Sequence, residues 1–71
     1  MQVSIRRDIC NDRPRLTVYR PRARAYTLGG YAFETQSLQW IVALPNQPMD
    51  VACTEQHAHH MLQSYFDKLA G

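Results

Sequence analysis

The stretch that decides the fold is residues 54–71, Thr-Glu-Gln-His-Ala-His-His-Met-Leu-Gln-Ser-Tyr-Phe-Asp-Lys-Leu-Ala-Gly. Its apolar residues recur at i, i+3, i+4, i+7, i+8 and i+11, which places them in one stripe on a helix: Ala58, Met61, Leu62, Tyr65, Phe66 and Leu69. Thr54 is a suitable N-cap, and Glu55 complements the positive end of the helix dipole. The segment therefore predicts one C-terminal amphipathic helix whose apolar side needs a partner layer.

The N-terminal residues alternate as strands do. Val3, Ile5 and Ile9 share one phase, which predicts a strand over residues 2–9. Residues 11–14, Asn-Asp-Arg-Pro, are typical of a turn. Leu16 and Val18 begin a second strand, which is expected to end at Pro21 or to lie at a sheet edge there, because proline cannot donate a ladder hydrogen bond.

The pair Gly29-Gly30 is the strongest turn signal in the middle of the chain. Two glycines suit the positive φ angles of a two-residue hairpin turn, so the sequence predicts a hairpin around them. In that register the cross-strand pairs are Leu28 with Tyr31, Tyr26 with Phe33, and Arg24 with Thr35.

The phase of the apolar residues reverses after this hairpin. Tyr31 and Phe33 occupy odd positions, whereas Leu38, Trp40, Val42 and Leu44 occupy even ones. One straight strand cannot bury both sets, so a turn at residues 34–37 or a β-bulge is required. We favour the turn, followed by a strand over residues 38–44 and a loop bracketed by Pro45 and Pro48 that ends the sheet.

The order of strands followed by a helix predicts an α+β fold. We expect a single domain over residues 1–71, with an antiparallel sheet of three to four strands and one C-terminal helix packed on one face. If the sheet's even-phase residues cover the helix, Tyr31 and Phe33 project from the other side.

The net charge of +2 hides an uneven distribution. Residues 1–30 hold seven arginines and two aspartates, a net charge of +5, whereas residues 31–71 hold one lysine and four acidic residues, a net charge of −3. Arginine offers a planar fork of donors that suits carboxylates, phosphates and aromatic rings. The alternative interpretation is that these arginines only keep the outer face of the strands solvated.

Length and composition exclude several classes of protein. A chain of 71 residues has a modest core, so a cofactor-sized cleft is not expected and we predict no cofactor. The chain lacks an apolar run of about 18 residues, as a membrane span needs, and its charged N-terminus is unlike a secretory leader. These two features predict no membrane association. Two cysteines are too few for a disulfide framework, so a cytoplasmic protein is expected.

Residues 53–60 contain a candidate metal set. Cys53, His57 and His60 lie at i, i+4 and i+7, and a thiolate with two imidazoles suits zinc. The favoured interpretation is a solvated polar helix face, because no Cys-x-x-Cys pair accompanies them, and the expected metal is none. Because no nucleophile has a base at diagnostic spacing and no glycine-rich loop precedes a helix, we predict that the chain is not an enzyme.

A run of arginine and tyrosine gives the candidate partner-binding residues: Arg20, Arg22, Arg24, Tyr26 and Tyr31. Arginine and tyrosine are enriched in interface hot spots. The favoured function is a non-enzymatic protein that binds and inhibits or regulates a larger macromolecular assembly, either a protein or a ribonucleoprotein complex, as a monomer or homodimer. The alternative is a small nucleic-acid-binding module that uses the same strand face for phosphate contacts and base stacking.

Two partial resemblances concern the fold. Residues 40–45, Trp-Ile-Val-Ala-Leu-Pro, with Pro48, Thr54 and Ala58, resemble the strand, proline-bounded loop and helix of small antitoxin domains with a partial double-stranded-RNA-binding fold. Met49 departs from the glycine usual in those domains. The order of strands and helix is also similar to that of the arm-binding domain of phage-type integrases, which read DNA with the sheet.

A third resemblance concerns function. In its size, single domain and lack of a catalytic motif, the chain resembles small phage-encoded inhibitors of bacterial defence, anti-CRISPR proteins among them. That resemblance implies inhibition by occluding a nucleic-acid channel or a protein interface. The arginine-rich half departs from the acidic DNA mimics of that class and implies contact with an acidic or aromatic patch.

Overall fold

The computed structural model of the chain describes residues 3–20 and 23–70, and it describes the side chains of residues 3–20 and 29–69. Across these residues the elements are β1 (Ser4–Cys10), β2 (Arg13–Arg20), β3 (Ala23–Glu34), β4 (Trp40–Ala43), β5 (Asp50–Ala52) and α1 (Glu55–Ala70). The strands form one antiparallel sheet in the order β1-β2-β3-β4-β5. The α+β class with one C-terminal helix is confirmed, but the sheet has five strands and not three to four.

The first hairpin joins β1 and β2 through a two-residue turn. Cys10 pairs with Arg13, and the intervening Asn11 and Asp12 have φ angles of 53° and 62°. Positive φ at both positions is the geometry of a type I′ turn, whose twist matches that of the flanking strands. The turn expected in residues 11–14 is therefore at Asn11 and Asp12, whereas Pro14 already lies in β2.

The predicted hairpin turn at Gly29-Gly30 is wrong. β3 runs through both glycines, pairing with β2 on one side and β4 on the other. Between the pairs Thr17–Tyr31 and Tyr19–Thr27, four residue steps of β3 oppose two of β2, and Gly29 has a φ of 86°. The glycines thus form a bulge inside one strand, because positive φ serves a bulge as well as a turn.

That continuous strand also overturns the cross-strand pairs expected for Arg24, Tyr26 and Leu28. All three lie in β3, the same strand that contains Tyr31 and Phe33. The side chains of residues 23–28, and Gln2, Pro21 and Arg22 entirely, lie outside the described residues.

The turn favoured at residues 34–37 forms, but it is a compact loop over residues 35–39, because Glu34 still belongs to β3 and pairs with Trp40. The N–H of Thr35 donates to the carbonyl of Gln39 at 2.7 Å, and the N–H of Leu38 donates to the carbonyl of Thr35 at 3.0 Å. Leu38 has a φ of 63° and is 71% exposed. A type I turn followed by a left-handed residue is a common hairpin connection, although glycine usually takes that last position.

The expectation that the loop at Pro45 and Pro48 ends the sheet is wrong. β5 follows this loop and pairs with β4, with Trp40 opposite Ala52 and Ile41 opposite Val51. β5 has only three residues, of which two are exposed, so its sequence is too short to show the alternation of apolar and polar residues that indicates a strand. The strand expected over residues 38–44 is β4, which begins at Trp40.

The core lies between α1 and one face of the sheet. Its buried residues come from both layers: Leu16, Val18, Ala32, Trp40, Val42, Ala52, Ala58, Leu62 and Phe66. Met61 and Tyr65 pack against this core, whereas Leu69 and Ile9, expected to be apolar contacts, are 62% and 60% exposed. The apolar stripe of the helix is thus used from Ala58 to Phe66.

The start of α1 is capped as expected. The backbone N–H of His57 donates to Oγ1 of Thr54 at 3.1 Å, which satisfies a donor that has no partner within the helix. The guanidinium of Arg7 on β1 reaches the Glu55 carboxylate at 2.9 Å and ties the helix start to the sheet. Within the described residues, the structure holds no helix that is both long and apolar enough to cross a membrane.

Candidate functional site

The face of the sheet turned away from α1 is the candidate site. Residues that alternate with the buried core positions carry their side chains to this side, because successive residues of a strand point to opposite faces. We call this surface the open face and define it by ten residues: Arg6, Asp8, Arg13, Arg15, Thr17, Tyr19, Tyr31, Phe33, Ile41 and Val51. As expected, Tyr31 and Phe33 lie on the side opposite the helix.

The strand register places these side chains in rows that cross the sheet. In one row, Asp8 lies opposite Arg15, and Arg15 lies opposite Phe33. The row continues from Phe33 to Ile41 and from Ile41 to Val51. Charged residues therefore occupy the β1–β2 side of the open face, and apolar residues occupy the β4–β5 side.

The centre of the open face is concave. A cavity of about 690 Å³ lies over β2 and β3 and is lined on its β2 side by Arg13, Arg15, Thr17 and Tyr19. Tyr31 and Phe33 line it from β3, and Cys10 lies at the β1–β2 turn. The small Thr17 side chain sits between larger neighbours and is buried. The cavity has the size of ligand sites in proteins and opens to solvent.

Two aromatic rings of β3 lie in a common orientation. The centroids of Tyr31 and Phe33 are 6.2 Å apart, and their planes are inclined by 19°. Tyr31 is 37% exposed. Near-parallel rings beside each other on a sheet make a surface on which a planar group can stack.

The arginines of the open face are in three different states. Arg15 binds Asp8 through two hydrogen bonds, Nε to Oδ1 at 3.1 Å and Nη2 to Oδ2 at 2.6 Å. The guanidinium of Arg6 lies 5.6 Å from the centroid of the Tyr19 ring. Arg13 forms no ion pair with any residue that the structure describes. Arg6 and Arg13 therefore keep charge available for a ligand.

The Arg15–Asp8 pair fixes the ionisation of the carboxylate. Hydrogen bonding from the Arg15 guanidinium holds the pKa of the Asp8 carboxyl below its usual value, and the same bonds raise the pKa of Arg15. Asp8 therefore remains an anion near neutral pH. Its two hydrogen bonds neutralise and orient Arg15 on the open face. A carboxyl with a lowered pKa is a poor proton carrier, so a role in proton transfer is not indicated.

The structure describes only part of the predicted partner-binding set. Tyr31 lies on the open face, and Arg20 is exposed at the end of β2. Arg24 and Tyr26 lie in β3, but their side chains and the whole of Arg22 lie outside the described residues. The grouping of these five residues stays a prediction.

The candidate metal set does not form a centre among the described residues. No three His, Cys, Asp or Glu side chains in residues 3–20 and 29–69 lie close enough together to hold a metal ion. Cys53 is an exposed free thiol, and Nε2 of His60 lies 3.3 Å from Oγ of Ser64 on the next helical turn. His57 lies in the first turn of α1, where its backbone N–H donates to Oγ1 of Thr54.

Four residues of the open face are not in the partner-binding set predicted from the sequence: Arg6, Arg13, Tyr19 and Phe33. The signal was present in the alternation of β2, where buried Leu16 and Val18 leave the odd positions for the other side. What the sequence could not supply was the pairing that sets Arg15 beside Phe33. That pairing depends on the bulge at Gly29-Gly30, for which the sequence predicts a turn.

Comparison of the chain with protein-family models, with curated proteins and with solved structures finds no match. We therefore infer function from the open face itself.

Proposed function

We propose that this chain is a non-enzymatic binding protein that engages a larger macromolecular assembly through the open face and inhibits or regulates it. The observation that carries the proposal is the division of the sheet into two faces. One face is closed by α1 over Leu16, Val18 and Val42. The other presents a concavity of about 690 Å³ lined by aromatic and arginine side chains.

The composition of the open face supports binding. Tyrosine and arginine dominate interface hot spots, because each combines a large contact area with directed hydrogen bonds. Tyr19, Tyr31 and Arg13 surround the concavity. The Arg15–Asp8 pair holds one side chain of this set in a fixed position before any partner arrives, which lowers the entropy lost on binding.

Regulation would follow from occlusion. The molecule measures 34 × 22 × 20 Å, so a partner bound to the open face is covered over an area comparable to one side of a standard interface, about 800 Å². A functional surface of the assembly that lies within this area would be blocked. The chain would then act as a stoichiometric inhibitor or regulator.

Affinity capture from a bacterial lysate, followed by mass spectrometry, tests this proposal. We expect the wild-type chain to enrich a defined assembly, and we expect Arg13→Glu to lose it, because the substitution reverses a free charge on the open face. Lys68→Glu is the matched control, since it reverses a charge on the exposed side of α1. Retention of the same assembly by Arg13→Glu, with both variants folded by circular dichroism, would refute the proposal.

A further inference from the structure

We propose that the occupant of the open face is a single-stranded nucleic acid, with unpaired bases on the aromatic rings of β3 and phosphates on Arg6 and Arg13. This inference rests on the proposed function, because it uses the same face and names the chemistry of its ligand. If the partner is a larger assembly, the single-stranded nucleic acid bound here would be a component of that assembly.

The aromatic geometry supports base stacking. Tyr31 and Phe33 are two residues apart on one strand, so both rings rise from the same face, and they are inclined by only 19°. Sheets that bind single strands use aromatic side chains placed this way as platforms for successive bases. The exposure of Tyr31 leaves its ring accessible to such a base.

The charges of the open face favour a polyanion. Arg15 and Asp8 neutralise each other, which leaves Arg6 and Arg13 uncompensated among the described residues of this face. Glu34 lines the rim of the concavity, but it alternates with Phe33 and pairs with Trp40, so its side chain leaves the sheet on the helix side. The open face therefore carries a net positive charge beside its rings.

The position of Arg6 adds a further contact of the same kind. Its guanidinium is held over the Tyr19 ring, which orients the planar fork at the edge of the concavity. A guanidinium in this position can donate two hydrogen bonds to one phosphate. Arg6 on β1 thus lies beside a ring on β2, and Arg15 on β2 lies opposite Phe33 on β3.

A single strand explains these features better than a duplex or an acidic peptide. In a duplex the base faces are stacked on each other and cannot reach rings that lie in a sheet. An acidic peptide would satisfy Arg6 and Arg13, but it would leave the parallel rings of Tyr31 and Phe33 without planar partners. Both are therefore included as competing ligands in the test.

Fluorescence anisotropy with labelled oligonucleotides of roughly 12 nucleotides tests the inference, since single-strand sites span about 4–16 nucleotides. The probes are oligo(dT), oligo(U), a duplex of equal length and polyglutamate. We expect oligo(dT) or oligo(U) to bind more tightly than the other two, and comparison of these arms shows whether DNA or RNA is preferred. With phosphates on Arg6 and Arg13, an increase in salt from about 50 to about 200 mM should weaken binding about five- to tenfold.

Substitutions separate stacking from charge. Tyr31→Ala should weaken single-strand binding by about tenfold or more, as expected for the loss of one stacked base, whereas Tyr31→Phe should retain it. Arg13→Gln should weaken binding and make it less dependent on salt. Lys68→Gln removes the same charge from α1 and should change neither property.

Three outcomes would overturn the inference. They are no binding of either single-stranded oligonucleotide at the lower salt, binding of the duplex or of polyglutamate as tight as that of the single-stranded probes, and unchanged affinity of Tyr31→Ala with the fold intact. If these occur while an assembly is still captured through Arg13, the proposed function stands and only its ligand class is wrong. If capture also fails to depend on Arg13, both are wrong.

Discussion

The ring of Phe66 on α1 fills the space beside Gly30 of β3. A Cβ atom on Gly30 would lie 2.7 Å from Cε2 and 3.0 Å from Cζ of that ring, and 3.4 Å from Cγ2 of Val18. The missing side chain therefore lets the helix approach the sheet at the point where the bulge of β3 ends. Ala32, the next residue on the same face, is also small and fully buried.

Gly30→Ala should lower the free energy of unfolding by about 1–3 kcal/mol, because an added methyl group forces the Phe66 ring or β3 to move. Urea unfolding measures the change. The exposed substitution Ser37→Ala is the control and should change stability by less than about 0.5 kcal/mol. If the contact is the cause, Phe66→Leu combined with Gly30→Ala should cost less than the sum of the single changes. Strict additivity would contradict this account.

Leu38→Gly should raise the free energy of unfolding by about 0.5–1 kcal/mol. Leu38 has a φ of 63°, where a Cβ atom costs about 1–2 kcal/mol. Glycine removes this cost, but its greater freedom in the unfolded chain offsets part of the stabilisation. Its side chain is largely exposed, so little burial is lost. Leu38→Ala keeps the Cβ atom and should bring no gain. Equal stabilisation by alanine and glycine in thermal unfolding would rule out backbone strain as the cause.

Thr54→Ala should lower stability by about 1 kcal/mol, since the His57 N–H would lose its acceptor at the start of α1. Thr54→Ser keeps the hydroxyl and should remain close to the wild type. Chemical unfolding of the three proteins measures the difference. Equal losses for serine and alanine would show that the methyl group, and not the cap, carries the effect.

The Asp8–Arg15 pair should make stability depend on acid pH. The pKa of Asp8 is lowered from 3.8 in the folded chain, so its contribution is fully present above about pH 4 and is lost as pH falls through the folded value. Asp8→Asn removes this contribution. The difference between wild type and variant should therefore be constant near neutral pH and shrink below about pH 4 in urea titrations. A difference that persists at lower pH would contradict the ion-pair explanation.

The sequence predicts the helix and its partner layer correctly because both depend on local periodicity. Ala58, Leu62 and Phe66 are buried, Met61 and Tyr65 pack against them, and the Thr54 cap forms. The turn at Asn11 and Asp12 is also local, since both residue types tolerate positive φ. These elements need no knowledge of distant parts of the chain.

The errors arise where one local signal serves two structures. Gly29-Gly30 has the backbone freedom for a hairpin turn, but here it lets β3 bulge and pass under Phe66. Whether the glycines form a turn or a bulge depends on contacts with α1, and the contact residue Phe66 lies 36 residues after Gly30 in the sequence. The open face shares this difficulty, because Arg15 and Phe33 become neighbours only through the bulged register.

The sequential order of the sheet has a consequence for folding of the chain. Each strand pairs with the strand that precedes it in sequence, so no strand pairing has to span α1. Until α1 docks, the apolar side with Leu16, Val18 and Val42 remains in contact with water. A folding intermediate with paired strands and an undocked helix would therefore expose an apolar surface, and association between two such sheets would compete with docking of the helix.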